Sequence, residues 1–298
     1  MRMERTELLI PVRDYDLAAT LTSGQAFRWR FIEGAWEGVI GEHWVGLKQG
    51  PTGIAAKTAL PVEGWAWLTK YLQTDIGLDA IVATFPEDEP MRASVAHCRG
   101  LRLLRQDPWE CLASFILSST KQIVQIQQIV ELLCRRFGAS LAVPEAHEPV
   151  YSFPTADCLA SAIEAELRAC KMGFRAPNLL RTAQIVARGE VNLDEIGKLD
   201  LSEARQSLIL LPGVGKKIAN CVLLFAYGFQ GAFPVDVWVM KALRQLYFPK
   251  RCPTPQRLLR FTNTYFGPNA GYAQQYLFHY MRTRPRISVL NRPRKRQK

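Results

Sequence analysis

At 298 residues, 48% hydrophobic and with a net charge of +11, the chain can bury a sizeable core and favours a polyanionic partner. No apolar run approaches the roughly 20 residues that span a bilayer, and the opening MRMERTELLIPV lacks a signal-peptide core, which argues against membrane and secreted readings. The seven cysteines (Cys98, Cys111, Cys134, Cys158, Cys170, Cys221, Cys252) are odd in number and form no close metal-type pairs. They read as reduced thiols of a cytosolic protein, with no metal and no cofactor expected.

Residues 1–60 read as β-rich. A short helix fits 14–21, and Thr22-Ser23-Gly24-Gln25 breaks it. Phe27, Trp29 and Phe31 alternate with Arg28 and Arg30, the period-2 pattern of a half-buried strand. Glu33-Gly34 is a turn, 36–40 returns as a partner strand, 44–47 offers another, and 50–53 turns again. From Val62 the pattern becomes helical: Trp65, Leu68 and Leu72 share one helix face. Pro86 and Pro90 flank an acidic linker, Glu87-Asp88-Glu89. Asp107-Pro108 is a strong helix start, and the helix it opens, 109–117, is almost wholly apolar and central to the core. An amphipathic helix over 123–137 ends at Gly138, and a Pro-rich loop fills 143–154. Further helices are expected over 159–170, 176–188, 201–211, 254–266 and 271–282. The reading is α+β: a small N-terminal antiparallel sheet with flanking helices (1–95), packed on a mainly helical domain (96–282). The tail, 283–298, is expected to be disordered. Residues 282–298 hold eight Lys/Arg and no acid. They add salt-dependent, sequence-blind DNA affinity, or simply solubility.

The segment 208–240, LILLPGVGKKIANCVLLFAYGFQGAFPVDVWVM, reads as helix, tight hairpin (208–227), helix, short loop, helix. Pro212, Gly213, Val214 and Gly215 make the turn, which delivers amide groups to the start of the next helix. That is an anion site, and a DNA phosphate suits it. Lys216 and Lys217 follow in the first helical turn. Asp236, in Pro-Val-Asp-Val, sits at the start of another helix. On pattern alone, Lys217 serves either as a phosphate contact or as a nucleophile, and Asp236 as a helix cap or a catalytic carboxylate.

LPGVGKKIAN followed by PVDV resembles the helix-hairpin-helix DNA glycosylase superfamily. SGQAFRW (23–29), LLRQDPWECLASFILSS (103–119), MGFRA (172–176) and GYAQQYLF (271–278) narrow the resemblance to the 8-oxoguanine DNA glycosylase family. It covers about residues 8–282, with the segments in the family's order. It implies a base-excision enzyme acting on double-stranded DNA that contains 8-oxoguanine. Such an enzyme flips the damaged base from the duplex, removes it, and nicks the abasic strand by β-elimination. A monomer is expected, cytoplasmic and nucleoid-associated in a prokaryote or nuclear in a eukaryote. The alternatives are a glycosylase of this superfamily for another damaged base, or a non-catalytic damage-binding protein. Lys217 argues against purely hydrolytic relatives, and Lys217 with Asp236 argues against a binder. Other branches hold an iron–sulfur cluster on four cysteines after the aspartate; here only Cys252 follows.

The resemblance also assigns roles. Lys217 attacks the sugar C1′ and forms a Schiff base, and Asp236 steadies the developing cation. An amine that normally holds its proton to about pH 10.4 must be made less basic, and burial with the positive end of its helix would do so. Phe278 and Cys221 sandwich the flipped base, Gln274 reads its Watson–Crick edge, and the Gly24 carbonyl accepts the N7–H that guanine lacks. Gly213, Val214, Gly215, Lys216, Thr120, Phe174, Arg175 and Trp238 would face DNA. There are departures. Thr120-Lys121-Gln122 replaces the family's run of asparagines, and Gln125 its arginine. Phe174 replaces the wedge tyrosine and Trp238 a histidine. Met281 stands where a late aspartate is usual. Relaxed discrimination of the base opposite the lesion is the expectation.

Overall fold

The computed structural model describes residues 4–250 and 253–285, so Cys252 and most of the basic tail lie outside the described residues. An antiparallel sheet comes first: β1 (Arg5–Pro11), β2 (Arg30–Ile32), β3 (Ala35–Ile40), β4 (His43–Gly50) and β5 (Gly53–Val62), in the order β1-β5-β4-β3-β2. The Glu33-Gly34 turn joins β2 to β3, with Ile32 opposite Ala35, and Gly50 pairs with Gly53 across the next turn. One sheet face buries Val45, Leu47, Ile54 and Ala56 under Leu17 and Leu21 of α1 (Leu17–Thr22) and Leu68 and Leu72 of α2 (Ala66–Leu72).

Helices make up the rest. They are α3 (Leu78–Val82), α4 (Glu89–His97), α5 (Pro108–Leu117), α6 (Ile123–Phe137), α7 (Ala156–Ala160), α8 (Glu164–Leu167), α9 (Ala176–Ala187) and α10 (Leu193–Ile196). Then come α11 (Leu201–Ile209), α12 (Lys216–Val222), α13 (Val237–Ala242), α14 (Pro255–Thr264) and α15 (Ala270–Thr283). Apolar α5 is buried from Cys111 to Leu117, as its composition demands, and touches α6, α9, α10 and α12. Among the described residues no helix is long and apolar enough to cross a membrane, and no group of His, Cys, Asp or Glu could hold a metal ion.

Four sequence expectations need correcting. Residues 27–31 do not form one strand; only Arg30–Ile32 pairs. Phe27 and Trp29 are buried because the segment crosses between two cores. Phe27 packs edge-on against Phe115 in the helical core, while Trp29 joins the sheet core and donates to the Tyr71 hydroxyl at 2.9 Å. Phe31 is 63% exposed against Trp36. Both strands of the β1-β5 pair were missed: in β1 the exposed apolar Leu9 stands between Leu8 and Ile10 and hides their alternation. The acidic linker is a helix start, with Asp88 accepting the Met91 amide at 2.7 Å and Pro90 in the first turn of α4. Finally, 159–170 is not one helix. It breaks after α7, and beyond α8 Lys171 takes φ +63°, which ends any regular turn.

Candidate active site

Three elements meet at the site, and each arrives for a local reason. The first is the hairpin. Gly213 has φ +79°, and a Cβ there would sit 3.0 Å from the Asn178 side chain, so both conformation and space call for glycine. The turn closes with the Val214 amide donating to the Leu211 carbonyl at 3.1 Å. The Val214 amide is therefore spent, and its side chain is buried. The amides of Gly215, Lys216 and Lys217 have no acceptor among the described residues, as at any helix start. Gly213, Gly215 and Lys216 are exposed.

Lys217, in the first turn of α12, points the other way, into the protein. Its amine donates to Ser118 Oγ at 3.2 Å and lies 5.1 Å from the Phe115 ring centroid. Ser118 in turn donates to the Phe115 carbonyl at 2.7 Å, so the end of α5 holds the lysine. Cys221, one turn on, is buried beside the amine; burial pushes its thiol up to about 11, which keeps it neutral.

The second element is α13. Asp236 caps it, accepting the Trp238 amide at 2.9 Å and the Val239 amide at 2.8 Å. Burial pushes the carboxyl above the ordinary carboxylate value. The two capping amides, Lys217 and Arg282 pull the other way. Amine and carboxylate thus share one electrostatic site. Trp238 is partly buried, with the Lys241 ammonium 5.2 Å from its ring.

The third element is α15, which packs on α13. Gln274 is 3% exposed, and its Oε1 has no hydrogen-bond partner. A buried amide oxygen left unsatisfied is costly unless something fills the place beside it. One turn further, Phe278 faces the loop after α1. Gly24 there has φ +74°, and a Cβ on it would lie 2.8 Å from Ile123 Cδ1 and 3.4 Å from the Phe278 ring. The loop is pinned: Gln275 donates to the Ser23 carbonyl at 2.9 Å, and Gln106 to the Gln25 carbonyl at 2.6 Å. Gln25 itself is buried and bonded to Thr20, Ser23, Arg102 and Leu104.

Thr120, Phe174 and Arg175 form a second group. Arg175 is buried and donates to the Ser119 carbonyl and, at 2.5 Å, to Thr120 Oγ1; its guanidinium lies 4.3 Å from the Phe174 ring. Its charge is spent on tying two loops together. Phe174 is 63% exposed, and Thr120 sits at φ +58°, unusual for a β-branched residue. Sequence reasoning missed Ser118, Phe115, Gln25, Gln275 and Arg282. Ser118 and Phe115 lay inside a quoted motif but carry no chemical signature until the fold brings Lys217 to them. A cavity of about 1140 Å³ lies elsewhere, between the outer sheet face and the 144–150 loop; Glu37, Trp44 and His147 line it, and none of these site residues does.

Two family patterns divide the chain: "8-oxoguanine DNA glycosylase, N-terminal domain" matches residues 7–112, and "HhH-GPD superfamily base excision DNA repair protein" matches residues 113–268. This chain belongs to the 8-oxoguanine DNA glycosylase family. It is 31% identical to a probable N-glycosylase/DNA lyase of Methanothermobacter thermautotrophicus, over 96% of this chain and 98% of that one. It is also 31% identical to the N-glycosylase/DNA lyase OGG1 of Arabidopsis thaliana, over 93% of this chain and 78% of the relative. Among solved structures, the apo 8-oxoguanine glycosylase/lyase of Clostridium acetobutylicum superposes with a TM-score of 0.86 at 31% identity, covering 93% of this chain and 97% of that chain. The fold of the family, a small antiparallel sheet ahead of a helical HhH-GPD domain, is the fold of this protein.

Proposed function

We propose that this protein excises 8-oxoguanine from duplex DNA and then nicks the abasic strand, with Lys217 as nucleophile and Asp236 as its electrostatic partner. One observation carries the reading: the Lys217 amine on α12, the capped Asp236 carboxylate of α13, and α15 with its unpartnered Gln274 and with Phe278 against Gly24 meet in one region of the fold. The relatives' names describe the same pair of activities.

The damaged nucleotide leaves the stack and enters the pocket, its base between Phe278 and the Cys221 side. Gln274 Oε1 takes a hydrogen from the base edge, and the Gly24 carbonyl takes the N7–H of 8-oxoguanine. Guanine offers an acceptor at that atom and is repelled. The lone pair of the neutral Lys217 amine forms a bond to C1′ as the glycosidic bond breaks, its electron pair leaving with the base, which is protonated. Positive charge gathers on the sugar in this passage, and the Asp236 carboxylate offsets it. Ring opening gives a Schiff base. Loss of a C2′ proton then expels the 3′ phosphate. The Gly215 and Lys216 amides with the exposed Lys216 side chain hold a neighbouring phosphate. Phe174 wedges between bases without a hydroxyl, while Thr120 and Trp238 meet DNA nearby. The enzyme works where the chromosome lies, in the cytoplasm of a prokaryote or the nucleus of a eukaryote.

Borohydride trapping tests this. An 8-oxoguanine duplex should yield a covalent complex that disappears in Lys217→Gln. Trapping only on another lesion would favour a different glycosylase, and no trapping on any lesion a damage-binding protein. Thr120, Gln125 and Trp238 replace polar family residues, so opposite-base discrimination should be relaxed. Excision opposite each of the four bases should then differ little, and a strong cytosine preference would refute that part.

A further inference from the structure

Arg282 stands on α15 one turn beyond Phe278, half-buried in a site where every other charged group already has a part. Its guanidinium carbon is 5.1 Å from the Phe278 ring centroid, and its Nη1 donates to the Thr22 carbonyl at 3.3 Å. It also faces the Asp236 carboxylate and favours its ionised form. One side chain therefore touches the stacking wall, the loop that carries Gly24, and the electrostatic field of the catalytic carboxylate.

The charge balance of the reaction gives this arrangement a purpose. The groups facing Asp236 are Lys217 and Cys221 from α12, Arg282 from α15, and the capping amides of α13. Cys221 is a neutral thiol. Lys217 must be neutral when it attacks, so at that moment it no longer balances Asp236. A guanidinium keeps its charge at any working pH. His279, also on α15 near Arg282, is held neutral, with burial bringing it down to about 4, and offers no substitute.

We infer that Arg282 is a positioning residue of the excision step: it supplies the permanent positive charge opposite Asp236 while Lys217 acts as a neutral amine, and it clamps Phe278 to the Thr22–Gly24 loop. The inference rests on the roles proposed above for Lys217 and Asp236.

The test is single-turnover excision of 8-oxoguanine by the full chain across pH, for wild type, Arg282→Met, Arg282→Lys and Asp236→Asn. Arg282→Met should cut the rate near neutral pH by roughly tenfold and move the acid limb of the profile to higher pH, because Asp236 then ionises less readily. Arg282→Lys keeps the charge but loses the planar contact. It should hold the acid limb in place with a smaller loss of rate, and it serves if Arg282→Met does not fold. A slower enzyme with an unmoved limb in Arg282→Met, or wild-type behaviour there, would overturn the inference. Full activity in Asp236→Asn would instead sink the reading of Asp236 itself.

Discussion

Asp107 and Asp236 do the same local job in two different regions. Each precedes an apolar helix and accepts its first free amides, Asp107 from Glu110 at 2.8 Å and Asp236 from Trp238 and Val239. Asp107 is exposed and makes no ion pair among the described residues, whereas Asp236 is partly buried and feels the charges of Lys217 and Arg282. At the head of α5 the partly buried carboxylate is Glu110, three residues on, with Arg28 at 3.9 Å. The cap signal is thus the same in both places, and only the tertiary surroundings separate a plain helix cap from the carboxylate proposed to act in excision. At Asp236 one group does both jobs; at α5 the cap and the buried charge are divided between two side chains.

Breaking the reactive cap should have the largest effect. Asp236→Asn should slow single-turnover excision by about 10²- to 10³-fold, since an amide cannot balance a forming cation. Asparagine caps as well as aspartate, so the helix should stay. The fold favours the protonated Asp236, so the stability it contributes is present in acid and lost as pH rises; the variant should melt no lower than wild type near neutral pH. A melting point well below wild type would mean that the ionised carboxylate stabilises the fold, against the direction given by its burial.

Next comes the pocket. Gly24→Ala should lose about 1–2 kcal/mol by denaturant unfolding for its left-handed φ, and its Cβ should press Ile123 and Phe278, lowering excision as well. Unchanged stability and rate would show that the loop yields easily.

Glu110 sharpens the contrast. Burial raises its pKa from the ordinary value of 4.5 to about 7. The protonated form is favoured in the fold, so this stability is full below about pH 4.5 and lost as pH rises toward about 7. Glu110→Gln should therefore gain stability relative to wild type at pH 8, by at most about 3 kcal/mol, and gain nothing at pH 4, with excision little changed. A variant equally stabilised at both values would contradict a buried, titrating carboxylate. The smallest effect belongs to Asp107→Ala, about 1 kcal/mol of stability for a lost cap, with excision at the wild-type rate.

Most of the helical half was legible because its signals are local. Asp107-Pro108, the apolar run after it, and the Pro212 to Gly215 turn declare themselves within a few residues. The Lys217 and Asp236 pairing was legible only through the ordered family motifs, since no periodicity links a hairpin to a cap on another helix. What escaped was long-range. Ser118 holds a lysine 99 positions away, and Arg282 reaches a carbonyl 260 positions away. The alternation at Phe27, Trp29 and Phe31 misled for a related reason. Neighbouring side chains were buried in different cores, and a period of two cannot distinguish that from a strand.

The corner at Ser23 to Gln25 has a last consequence. Gln275 and Arg282 bolt it to the helix that carries Gln274 and Phe278, and Gln106 fastens its other end. Two walls of the proposed base site are therefore fastened to each other, although they come from opposite ends of the chain. Heat or truncation that frees the corner also takes away the contact that backs the Phe278 ring.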